Sequence, residues 1–182
     1  MEQGEISPFA MLERLQRRSE QVTGELPLKT NAQLHWTGLG FSLLGQRFVA
    51  PLPEVAETMR IPQATRLPGV KDFVVGVGNV RGRLMALVDL AGFFGETSKL
   101  AKTQRRVLAV EDTDQFFGFI IDESLGMQHF PSDSFEESLD EIDERFKPFV
   151  RGGYRLAGIQ WPVVSLTALA ENPEMRKLAA VS

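Results

Sequence analysis

The sequence predicts a mainly β fold of many short strands, arranged as a sandwich or as small barrels, with a few short helices. Three observations lead there. Apolar and β-branched residues recur in short runs, glycine, proline and Asx turn signals separate those runs at close intervals, and no long amphipathic segment stands between them. A parallel βαβ sheet would need such segments as crossover helices.

The N-terminal residues 1–38 read differently and are assigned to a helical extension. Ser7 can cap a helix with Pro8 at its first position, Phe9, Leu12, Leu15 and Val22 recur at near-helical spacing, and Gly24 and Pro27 stop it. From residue 39 to residue 182 the chain reads as one β domain. Phe41 to Leu44 and Arg47 to Ala50 flank a Gly45-Gln46 turn, and Val55 to Arg60 supplies the next strand. Leu90 to Phe94 is a short helical piece ended by Gly95, and Thr97 to Gln104 reads as a connection between subdomains. The second half opens with a hairpin, Val107 to Glu111 and Phe116 to Asp122, around Asp112 to Gln115. Within it Phe117, Phe119 and Ile121 share one face, and Phe116, Ile120 and Asp122 the other. Ser124 to Phe130 is a strand, and the acidic stretch Asp133 to Glu144 a loop or short surface helix. Strands resume at Phe149 to Leu156 and Gln160 to Leu166 around Gly158. The tail from Ser165 is helical, with Asn172 before Pro173 placed to cap its last turns.

The most informative stretch runs from Gly76 to Gly95, GVGNVRGRLMALVDLAGFFG. Gly76, Gly78 and Gly82 are read as bracketing a tight turn that carries Asn79 and Arg81. From Arg83 to Asp89 the alternation of a strand places Leu84, Ala86 and Val88 on one face and Arg83, Met85, Leu87 and Asp89 on the other. Arginine at a turn tip offers five donors in a rigid fork, suited to carboxylates or carbonyls on another molecule.

Composition narrows the function classes. The chain has 182 residues, net charge −4 and a pI near 5.3. That balance gives no basic face for a phosphate backbone, so nucleic acid is not an expected partner. With no cysteine, disulfides and thiolate chemistry are excluded. The start does not resemble a secretory signal peptide and no apolar run is long enough to span a bilayer, so a cytoplasmic protein without direct membrane insertion is expected.

The order of a VxE strand, a loop ending in LPG, then VxGVxNxRG, a DL pair and FG resembles the coupling proteins of bacterial chemosensory systems, the CheW-like domain family. Here it is carried by Val55 and Glu57, then Leu67, Pro68 and Gly69, then Val74, Gly76, Val77, Asn79, Arg81, Gly82, Asp89, Leu90, Phe94 and Gly95. The N-terminal extension, the RVLAVE strand at Arg106 to Glu111 and the GMQHFP segment at Gly126 to Pro131 are most similar to family members serving type IV pilus systems. The resemblance implies two closely joined five-stranded SH3-like β-barrels and a noncatalytic adaptor without a cofactor. It implies two partners, the cytoplasmic tip of a methyl-accepting chemoreceptor and a chemotaxis-type histidine kinase. Carried over residue by residue, it makes Val55, Glu57, Asn79, Arg81 and Gly82 the partner surface, with Asp89 and Leu90 shaping the adjoining strand end.

Catalytic chemistry finds little footing. The glycines open a strand rather than a helix, against a dinucleotide site, and there is no GxxxxGK loop. His35 and His129 stand far apart with no metal-ligand spacing and no GxSxG elbow, so both are read as structural. Carboxylate pairs such as Glu54 with Glu57, or Asp89 with Asp122, could meet in space, which keeps a carboxylate-dependent hydrolase as an alternative. A small β-barrel binding peptide or nucleic acid is the other.

Overall fold

The computed structural model describes residues 34–179. The expected helix from Ser7 to Val22 lies outside these residues. The strands are β1 His35–Leu43, β2 Gln46–Pro51, β3 Glu57–Arg60, β4 Ala64–Thr65, β5 Val74–Val80, β6 Arg83–Asp89, β7 Arg106–Asp112, β8 Gln115–Ile121, β9 Glu123–Pro131, β10 Phe135–Glu136, β11 Val150–Leu156 and β12 Ile159–Val164. Among the described residues three short helices accompany them, α1 Leu90–Phe93, α2 Leu166–Ala170 and α3 Pro173–Ala179.

The strands form two six-stranded sheets, in the orders β10-β11-β12-β2-β1-β9 and β3-β7-β8-β6-β5-β4. Each ends in one two-residue strand, β10 or β4, beside five longer ones. The connections show that both sheets are rolled. β3 and β4 occupy opposite ends of their sheet, yet only residues 61–63 join them, and residues 132–134 join β9 to β10 in the same way. Across a flat sheet the end strands would lie about 24 Å apart. Four Cα steps reach at most about 14 Å.

One layout is used twice. The middle barrel takes β3, β4, β5, β6, α1, β7 and β8 in chain order; the other takes β9, β10, β11, β12 and α2 and is completed by β1 and β2. In both, the strand before the helix pairs in parallel with the strand that closes the set, β6 with β8 and β12 with β2. The second barrel is therefore split, built from both ends of the described chain. This corrects two expectations. The hairpin β7–β8 belongs to the middle barrel, because β7 pairs with β3 and β8 with β6. Residues 97–104 accordingly run from α1 to β7 within that barrel and do not connect subdomains.

Three apolar clusters follow from the strand periodicity. Met85, Leu87, Val107, Ala109 and Ile120 fill the middle barrel, and Val49, Phe130, Tyr154, Trp161 and Val163 fill the split one. A larger core between the sheets takes the opposite faces, among them Phe41, Phe48, Val88, Leu108, Phe117, Phe119 and Ile121. The alternation read in β8 is thus a division between two cores, with Phe117, Phe119 and Ile121 in one and Phe116 and Ile120 in the other. Each fully buried phenylalanine contributes roughly 1.5–3 kcal/mol.

Local chemistry sets the ends of the elements. Asp89 caps α1 by accepting from the Ala91 N–H at 3.1 Å, and Ser165 caps α2 by accepting from the Ala168 N–H at 3.1 Å. Asn172 accepts from the Glu174 N–H at 2.9 Å, as its place before Pro173 predicts. The strand expected from Val55 begins only at Glu57, because residues 52–54 form a 3₁₀ turn. The acidic stretch carries a 3₁₀ turn and β10 before it becomes irregular.

Candidate docking surface

The β5–β6 hairpin turns on Arg81 and Gly82, whose φ angles are +52° and +81°. Positive φ at both central residues is the primed turn whose twist suits a two-residue hairpin. A side chain at such an angle costs roughly 1–2 kcal/mol. Asn79 offsets part of it, its side-chain oxygen accepting from the Gly82 N–H at 2.9 Å. The same X-Gly turn recurs at Leu44-Gly45 and Ala157-Gly158. The first of these places the early turn one residue before the Gly45-Gln46 position expected.

Gly76 and Gly78 lie inside β5 and do not bracket the turn. Their role is close approach. A Cβ on Gly76 would sit 2.2 Å from the Thr65 carbonyl oxygen, and one on Gly78 2.9 Å from that of Gln63.

At the tip, the Arg81 side chain is 81% exposed and its Nη2 lies 2.9 Å from Oε2 of Glu57, which is 24% exposed. Beside it Arg83 pairs with Glu111 and stacks 4.6 Å over the Phe116 ring. Leu84, across the hairpin from Asn79, is 62% exposed. Val55 is half-buried against the core between the sheets. The hairpin and the start of β3 thus bring Glu57, Asn79, Arg81 and Gly82 together at one end of the middle barrel, with an apolar side chain among them.

Asp89 and Leu90 sit elsewhere. Leu90 is 1% exposed in the core between the sheets, so it holds backbone in place and offers no contact surface. Asp89 caps α1 and accepts two hydrogen bonds from Arg105, at 2.6 and 2.8 Å. Sequence reasoning missed Arg105, which is 6% exposed and also stands 3.5 Å from Asp122. It weighed Glu54 only as half of a catalytic pair and missed its structural role: the carboxylate accepts from the N–H groups of Leu166 at 2.6 Å and Thr167 at 3.1 Å and from the Ser165 hydroxyl at 3.2 Å. Of the carboxylates weighed as catalytic pairs, Glu54, Asp89 and Asp122 hold structural partners, and Glu57 pairs with the exposed Arg81. His129 meets Thr37 across the strands at 2.8 Å, and among the described residues no group of three or more His, Cys, Asp or Glu is placed to hold a metal.

The fold is two rolled barrels sharing a core, one of which presents an exposed arginine on a tight turn. The chain belongs to the CheW-like domain family, whose model matches residues 37–174. It is 43% identical to Protein PilI of Pseudomonas aeruginosa over 166 residues, 91% of this chain and 93% of that one. It is 28% identical to Chemotaxis protein CheW of Helicobacter pylori over 106 residues, 57% of this chain and 64% of the other. Among solved structures, the scaffolding protein TtCheW of Thermoanaerobacter tengcongensis shares the fold with a TM-score of 0.66 at 23% identity, covering 78% of this chain and 96% of that one. No described helix is long and apolar enough to cross a membrane.

Proposed function

We propose that the chain is a noncatalytic adaptor joining the cytoplasmic tip of a methyl-accepting chemoreceptor to a chemotaxis-type histidine kinase, in a system that controls type IV pili and twitching motility. The observation that carries this reading is the 43% identity to PilI over 91% of the chain. The adaptor acts in the cytoplasm and reaches the membrane through its partners. Its output is docking geometry: binding one partner changes the free energy of binding the other, and no covalent bond is made or broken.

Val55, Glu57, Asn79, Arg81 and Gly82 form the partner surface in this reading, while Asp89 and Leu90 hold the end of β6 behind it. The positive charge on Arg81 is only loosely compensated, because an exposed ion pair is worth at most about 1 kcal/mol. A partner carboxylate or carbonyl can replace Glu57 at little cost. Co-sedimentation with receptor-bearing membranes tests the assignment: the kinase should pellet with the membranes only when the adaptor is added. A kinase that pellets equally without it contradicts the reading.

A further inference from the structure

The chain is acidic overall, yet Lys99, Lys102, Arg105 and Arg106 follow one another with no carboxylate between them. The fold disperses these charges unevenly. Arg105 turns inward to Asp89 and Asp122. Arg106, at the start of β7, donates from Nη1 to the carbonyls of Thr103, Gln104 and Arg105 at 3.3, 3.2 and 2.9 Å. Directly opposite Arg106 on β3 stands Arg60. Like charges so placed destabilise a sheet unless something compensates them. Among the described residues no carboxylate comes within ion-pair distance of Arg60, Lys99, Lys102 or Arg106.

An open cavity of about 400 Å³ adjoins two of these charges, with Arg60 and Lys102 set beside Ile61, Pro62 and Val75 in its walls. It lies at the seam of the middle barrel, where residues 61–63 carry the chain from β3 to β4 and neither strand has a neighbour on its outer edge. We propose that this cavity docks an acidic segment of a protein partner, laid in extended form along the seam. Its carboxylates meet Arg60 and Lys102, an apolar side chain packs on Ile61, Pro62 and Val75, and the free strand edges supply backbone hydrogen bonds. The apolar wall and the net charge of −4 favour a peptide over a phosphate backbone. The site is separate from the hairpin tip, since Glu57 begins β3 and Arg60 ends it, a separation of about 10 Å. It stands whether or not the tip docks the partners proposed above.

Fluorescence anisotropy with the full chain tests this, using a labelled peptide in which Glu alternates with Val and a second with Gln in place of every Glu. The Glu peptide should bind, the Gln peptide at least about tenfold more weakly, and added salt should weaken the former. Arg60→Glu should lower affinity for the Glu peptide about tenfold, and so should Lys102→Glu. Arg60→Glu places an opposite charge across from Arg106, so its melting temperature should hold or rise; Lys102→Glu, on an exposed loop, provides a second folded variant. No binding, equal affinity for the two peptides, or affinity unchanged in both variants overturns the proposal. So does tighter binding of a single-stranded oligonucleotide that the variants abolish. Self-association of the chain that the variants abolish, with no peptide bound, overturns it in favour of a second copy.

Discussion

At Arg81 the backbone and the side chain call for different residues. The turn favours Asn or Gly at this φ, and the arginine stands there with its guanidinium almost fully in water. Gly82 carries the other half of the turn. Nothing lies within 4 Å of a Cβ built on it, so replacing it strains the backbone without a clash. Gly82→Val should cost about 1–2 kcal/mol in a urea titration and weaken partner binding with it. A second residue-scale expectation concerns pH. Arg145 donates to the Asp143 carboxylate from Nε, Nη2 and its own backbone N–H, holding that carboxyl down from the usual 3.8 to about 2. A depressed folded-state pKa makes the contact's contribution present above about pH 4 and lost as pH falls through about 2. NMR titration of the Asp143 carboxyl should give a midpoint near 2, returning to about 4 in Arg145→Ala; a midpoint near 4 in the unaltered chain contradicts the contact. Sequence placed Asn79, Arg81 and Gly82 on one turn because a turn is a local event. Glu57, the ion-pair partner of Arg81, came only from the family pattern, since spacing along the chain does not say which strand end meets which turn.

Among the elements, α2 shows how a helix of five residues is held in place. It is too short to persist alone. Ser165 caps it locally, and Glu54, 112 residues before Leu166, reaches across to its first N–H groups. Glu54→Ala should cost about 1–2 kcal/mol, the range of a lost cap, with the far-ultraviolet spectrum otherwise kept; unchanged stability would show that the bonds to Leu166 and Thr167 contribute nothing. The Ser165 cap is legible because a serine before an apolar run is a start signal. The Glu54 bond is not, because it depends on β2 lying parallel to β12. The same limit explains the misplaced glycines of β5: a sequence shows where glycine occurs, and only the crossing of β4 shows whether it serves a turn or an approach.

On the scale of the whole molecule, the two barrels meet around one charge cluster centred on the buried Arg105. Asp122 stands where the chain passes from β8 to β9, accepting from the Leu44 N–H of the split barrel at 2.8 Å while Arg105 bridges it to Asp89 in the middle barrel. Removing the guanidinium leaves the buried Asp122 and the partly exposed Asp89 without their cation. Arg105→Ala should therefore destabilise the fold by about 3–5 kcal/mol, seen as an earlier urea midpoint; a loss below about 1 kcal/mol would assign the cluster no structural part. The mainly β character and most strand positions were legible, because period-two alternation and turn residues are local. The split barrel was not. Its β11–β12 hairpin and the β5–β6 hairpin of the middle barrel share apolar placement and an X-Gly turn but little identity, so the repeat surfaces only in the pairing of strands.

Within the adaptor reading, the proposed partner surface rests on the exposed turn arginine as a grip for other proteins. Calorimetric titration of a receptor-tip fragment and of the kinase against Arg81→Ala, alongside thermal melting, tests this most directly. The expected result is binding weakened by about 2 kcal/mol or more for at least one partner with the melting temperature kept. Unchanged affinity for both partners in an equally stable variant would contradict it.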